Sequence, residues 1–139
     1  MEIADVRKRV NQTIERAKRQ ASERRTRTDE AGRAFETFLS TIAIPLFKQV
    51  ASALRPDGYP FNVFTPSGSV RLMSDRGAED YIELTLDTTG EAPQVLGHSS
   101  RNRGRRVVES ERPLGEPGTL TEDDVLDYVL KELEALVER

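Results

Sequence analysis

Tyr81-Ile82-Glu83-Leu84-Thr85-Leu86-Asp87 alternates without a break, Ile82, Leu84 and Leu86 standing between polar or amphipathic neighbours. A period of two marks a strand with one face buried and the other wet, the pattern of an antiparallel sheet. Val70 and Leu72 offer the same face on the segment before it. The strand pattern recurs over residues 59–65, 69–74, 80–87, 94–99 and 105–111. The links are short and contain Gly or Pro, as in Pro66-Ser67-Gly68 and Thr88-Thr89-Gly90-Glu91-Ala92-Pro93, so each strand is expected to pair with the next in chain order. Pro113-Leu114-Gly115-Glu116-Pro117-Gly118 reads as an irregular linker leaving the sheet.

Both flanks of this meander read as helical. Thr121-Glu122-Asp123-Asp124 is a helix start, with a threonine cap and three acids at the positive end of the dipole. Val125, Val129, Leu133 and Leu136 follow as its buried face, widened by Leu126, Leu130 and Val137. On the other side, Ile3, Val6, Val10, Ile14, Ala17 and Ala21 step by three or four residues and form one narrow apolar stripe among charges. Steps of 3-4-4 sum to eleven, which favours a nearly straight seam over a heptad supercoil. The stripe thins at Thr28 and Gly32 and returns in phase at Leu39, Ala43, Val50 and Leu54. Thr28, followed by Asp29 and Glu30, also has the look of a helix cap. Pro45 removes one helical hydrogen bond and is expected to kink or split its helix. One kinked helix and two collinear ones both fit.

The expected fold is α+β in two layers: a long N-terminal helix, kinked or split, a five-stranded antiparallel meander and a C-terminal helix. Residues 1–54 are the N-terminal helical segment, with 1–27 expected to protrude or oligomerise. Residues 55–139 are expected to form the sheet and last helix, in one domain with 34–54. From Phe35 onward the apolar face broadens enough to cover a sheet, whereas the stripe over residues 3–21 is too thin for that and calls for a partner helix.

The 139 residues carry a net charge of −3 that conceals strong segregation. Ten Lys/Arg against six Asp/Glu leave residues 1–33 at +4, and residues 34–97 stand at −4. Residues 98–112 stand at +3 and residues 113–139 at −6. There is no cysteine, which removes thiolate chemistry and disulfides together and suits a cytoplasmic protein. The longest uninterrupted apolar run, around Ile42–Phe47, is far below the roughly 20 residues that span a bilayer, so no membrane partner is expected.

Arg101, Arg103, Arg105 and Arg106 crowd one turn, reading as the tip of a hairpin. Such a turn is either solvated, or meets phosphate through bidentate guanidinium contacts, or meets an acidic protein surface. The acidic balance of the chain, and the Asp and Glu interleaved with the basic residues of the first helix (Glu15 with Arg19, for example), weigh against a nucleic-acid surface. His98 is the only histidine, with no partner for a triad visible in its neighbourhood. Glu79, Asp80 and Glu83 read as solvated acids rather than a cation site. No nucleotide fingerprint, nucleophile elbow or metal-ligand spacing is present. The expectation is a non-enzymatic assembly module without cofactor or metal, a homodimer through Ile3, Val6, Val10, Ile14, Ala17 and Ala21. The alternative is a protein that binds nucleic acid or another polyanion through the arginine turn and the basic helix.

Overall fold

The computed structural model describes residues 1–138, leaving Arg139 of the last segment outside the described residues. Helix α1 (Ile3–Phe38) passes without interruption through residues 26–32. Thr28 is therefore a mid-helix residue and not a cap. No residue there requires a left-handed backbone, and one helical glycine, Gly32, costs only about 1 kcal/mol. A single wide π-turn (Leu39–Ala43) follows, then α2 (Ile44–Leu54) and a short 3₁₀ turn (Arg55–Asp57).

The π-turn has a packing reason. Phe35, Leu39, Ala43, Phe47 and Ala51 are all buried and fall four residues apart. In an unbroken α-helix each four-residue step rotates the side chain by about 40°, which would swing this row off the sheet. One turn in which the Ile44 N–H donates to the Leu39 carbonyl, five residues back, takes up that rotation. The wide turn ends just before Pro45, at the start of α2, where the missing donor falls on the change of register. The Ser40 and Thr41 hydroxyls donate to the Thr37 carbonyl at 3.2 and 2.7 Å. Pro45 thus coincides with a change of hydrogen-bond register, not with a helix end.

Strands β1 (Phe61–Phe64), β2 (Val70–Ser74), β3 (Tyr81–Asp87), β4 (Gln94–Arg103) and β5 (Arg106–Gly115) pair antiparallel in chain order. Val70 lies opposite Leu84, and Leu72 opposite Ile82; all four are fully buried. Two strands are longer than the sequence suggests. β4 continues through Arg101–Arg103, and β5 continues through Pro113 with a bulge at Val95/Leu96. Pro113 is tolerated because β5 is an edge strand, where a missing N–H costs no ladder bond. The fold is α+β, with the meander between a long N-terminal helix and a C-terminal helix.

Helix α3 (Glu122–Val137) begins with a complete capping box. The Asp124 N–H donates to Thr121 Oγ1, and the Thr121 N–H donates to the Asp124 carboxylate. Its buried residues are Val125, Tyr128, Val129, Leu133 and Leu136. Leu130, expected at the edge of that face, is half-exposed. α2 packs on β1 and β2 and α3 on β4, so one face of the sheet is covered. The helix from Ile3 to Asp57 contains a stretch long and apolar enough to cross a membrane, by length and composition only. Its residues Phe38, Leu39, Ala43, Phe47, Val50 and Ala51 belong to the core beside the buried strand residues.

Gly97 and Tyr128 fix how α3 meets the sheet. A Cβ on Gly97 would lie 2.4 Å from Tyr128 Cζ, so the ring rests directly on the β4 backbone. The Tyr128 hydroxyl is buried and has no hydrogen-bond partner among the described residues. Burial holds its pKa well above the usual tyrosine value. Removing an unpartnered buried hydroxyl relieves a desolvation cost. Tyr128→Phe is therefore expected to leave the fold unchanged or stabilise it by up to about 1 kcal/mol, read from urea unfolding at neutral pH. Because the neutral phenol is the favoured folded form, stability is full below the ordinary tyrosine pKa of about 10 and falls as pH rises above it. The Phe variant is expected to lose that part of the alkaline slope.

Candidate interaction surface

The chain divides into two compact units, Met1–Glu30 and Ala31–Arg139. In the first unit the predicted stripe stands open. Ile3 is 78 % exposed, and Val6, Val10 and Ile14 are 45 to 49 % exposed. Ala17 is exposed and Ala21 half-buried. Met1, Val6, Arg9, Val10, Thr13 and Ile14 line a shallow surface hollow of about 290 Å³. Four large aliphatic side chains at helical spacing over twelve positions form a continuous patch, unlike the scattered apolar residues of an ordinary surface. The expected Glu15–Arg19 pair is not formed, and no other ion pair ties down the charges of this helix among the described residues.

In the second unit the arginine turn is tighter than the sequence implies. Arg103 pairs with Arg106 across the strands, leaving Gly104 and Arg105 as a two-residue turn. Gly104 has φ of +69°, and Arg105 does not share a positive φ, as in a II′ hairpin turn, where glycine takes the first central position. Directly opposed residues share a face, and so do residues two apart on one strand. Arg101, Arg103 and Arg106 therefore project from the same face of the hairpin and Arg105 from the turn. None of the four has an ion-pair partner among the described residues. Arg101, Asn102 and Arg103 line a hollow of about 500 Å³ with Ala135 of α3 and Glu138 just beyond its end. The register thus brings three of the four predicted anion-binding residues together.

Register also reveals a cluster that sequence reading misses. On the sheet face away from α2 and α3, the Arg71 guanidinium lies 4.1 Å from the Tyr81 ring centre and pairs with Glu83 at 2.9 Å. Tyr81 stacks on His98 with ring centres 5.6 Å apart. His98 lies between Glu111 at 3.2 Å and Glu109 at 3.5 Å. His98 therefore does have carboxylate partners, but they come from β5, eleven and thirteen residues away, where no local motif points. Burial raises the Tyr81 pKa, partly offset by the Arg71 charge.

Of the acids before β3, Asp80 is structural rather than solvated, whereas Glu79 is exposed. Asp80 is buried and accepts from the Asn102 N–H at 2.7 Å, while Glu79 accepts from the Asn102 side chain at 2.6 Å. Glu83 is engaged by Arg71 and Ser69. These acids do not converge on a common point, and among the described residues no three His, Cys, Asp or Glu side chains group as metal ligands.

A cavity of about 140 Å³ between β4, β5 and α3 is lined by Ser99, Ser110, Arg101 and Glu132 among others. Ser99 Oγ lies 2.9 Å from both Ser110 Oγ and the Glu132 carboxylate. His98 projects to the opposite face of β4 from Ser99, since neighbouring strand residues alternate, so the imidazole does not reach this hydroxyl, whose carboxylate neighbour is Glu132. No protein family, curated protein or solved structure matches this chain.

Proposed function

We propose that this protein is a non-enzymatic assembly module of the cytoplasm that dimerises through its N-terminal helix. The supporting observation is the open stripe of Ile3, Val6, Val10 and Ile14. Its area is too continuous to be left in water without a partner. A second copy is the occupant that the chain itself supplies, and its stripe has the same length and apolar character. Concentration-dependent sedimentation of the full chain is the test. The expected result is a mass rising from 15.6 kDa toward twice that value between about 1 and 100 µM, an association free energy of roughly −8 to −5 kcal/mol. A constant monomer mass over this range overturns the reading.

A second reading rests on a different observation, the opposed Arg103–Arg106 pair. Like charges directly across a hairpin repel, and no carboxylate among the described residues forms an ion pair with these or with Arg101 and Arg105. A phosphate backbone would supply the missing charge. If the turn binds nucleic acid, fluorescence polarisation with a labelled oligonucleotide is expected to show affinity that falls steeply with salt. Changing Arg101, Arg103, Arg105 and Arg106 to Ser is then expected to remove about four phosphate contacts and weaken low-salt binding at least 100-fold. Binding that is absent at low salt, or indifferent to the four changes, retires this reading.

A further inference from the structure

Resting on the dimer reading, we infer that the two N-terminal helices pair antiparallel, with the two-fold axis passing beside Val10. The stripe positions 3, 6, 10, 14 and 17 are separated by 3, 4, 4 and 3 residues, a spacing that reads the same from either end. Reversing the helix about residue 10 therefore lays these five positions on themselves and leaves Ala21, the last of the stripe, beyond the overlap. Val10 meets Val10, Val6 meets Ile14, and Ile3 meets Ala17, with large side chains opposite small ones at the ends. The hollow beside Val6, Val10 and Ile14 sits at the centre of this overlap, where knobs from a partner helix insert. The helical overlap runs from residue 3 to 17, roughly 21 Å of helix.

Charge selects this direction over the parallel one. In a parallel pair in register, Arg7, the one of the three basic residues 7–9 that helical phase sets beside the stripe, would lie level with Arg7 of the other copy. In the antiparallel pair Arg7 lies level with Thr13, which is neutral, and Glu2 lies level with Lys18. Asp5 and Glu15 are the one like-charged pair brought level, and helical phase places both away from the stripe. Shifting the centre to residue 12 keeps Val10 against Ile14 but sets Val6 against Lys18 and Ala17 against Arg7, burying charge in the seam. The apolar pattern and the charge pattern thus agree on one register.

Cysteine cross-linking tests the register, helped by the absence of native cysteine. Val10→Cys, Val6→Cys and Ile14→Cys are made separately in the full chain, each at a half-exposed position. Each is equilibrated in a glutathione buffer, and the covalent dimer is measured. A disulfide needs Cα atoms within about 7 Å, whereas in this register two copies of residue 6 lie roughly 12 Å apart along the axis. Val10→Cys is expected to give at least ten-fold more covalent dimer than Val6→Cys or Ile14→Cys alone. Mixing the latter two proteins is expected to restore the yield as a mixed disulfide. Equal linking by all three single variants overturns the inference in favour of a parallel pair and leaves the dimer reading standing. No linking by Val10→Cys while sedimentation still reports a dimer overturns the inference alone. No linking together with a monomer mass overturns both.

Discussion

Gly97→Ala is expected to destabilise the protein by about 3 kcal/mol, at the upper end for an inserted core methyl. The new Cβ would fall 2.4 Å from Cζ and 2.7 Å from Cε2 and the hydroxyl of Tyr128. The obstacle is a ring held in place on α3, 1 % exposed, and not the free end of a mobile side chain. Neither β4, paired on both sides, nor α3, packed through Val125, Val129 and Leu133, can yield without opening the sheet–helix layer. Urea unfolding is expected to show a lower midpoint with an unchanged slope. The pair can be tested against itself. Tyr128→Ala alone is expected to cost about 3 kcal/mol or more from the cavity it leaves. The double variant is expected to be less unstable than the two losses added, because the alanine methyl enters space the ring has vacated. A Gly97→Ala protein within about 0.5 kcal/mol of the original would mean that α3 does not sit on β4 as described.

The second large effect concerns assembly, not folding. Val10→Asp combined with Ile14→Asp is expected to weaken dimerisation more than 100-fold. Each dimer would carry four carboxylates in an apolar seam, and each unpaired buried charge costs several kcal/mol. The fold of the monomer is expected to survive, since both positions are about half exposed in the single chain and an aspartate in an exposed helix costs only about 0.5 kcal/mol. Sedimentation reads the first effect and thermal unfolding the second. A double variant that sediments like the original protein would remove the stripe from the interface.

Much of this fold follows from side-chain period alone. The alternation from Tyr81 to Asp87 announces an antiparallel strand, and Val70 and Leu72 announce its neighbour, because hydrophobic burial acts on each residue through its own position in the pleat. The capped start of α3 is equally local, since Thr121 and Asp124 satisfy one another across three residues. What the sequence conceals depends on register. The tip shrinks to Gly104-Arg105 because β4 and β5 stay paired out to Arg103 and Arg106, and composition around the arginines does not encode where pairing stops. His98 gains Glu109 and Glu111 across the β4–β5 hairpin, and Gly97 gains Tyr128 from α3, through contacts that no local motif marks.

The stripe on α1 was legible as a stripe, and its exposure in the single chain is a fact of the fold. The proposal that a second copy covers it rests on spacing and charge, not on a contact within one copy. The sharpest examination is a methyl NMR experiment on a mixture of isotope-labelled and unlabelled full-length protein, filtered for contacts between copies. Intermolecular contacts are expected from the Val10 methyls to Val10 and from the Val6 methyls to Ile14. A spectrum at high micromolar concentration with no intermolecular contact to Val6, Val10 or Ile14 would contradict this pairing.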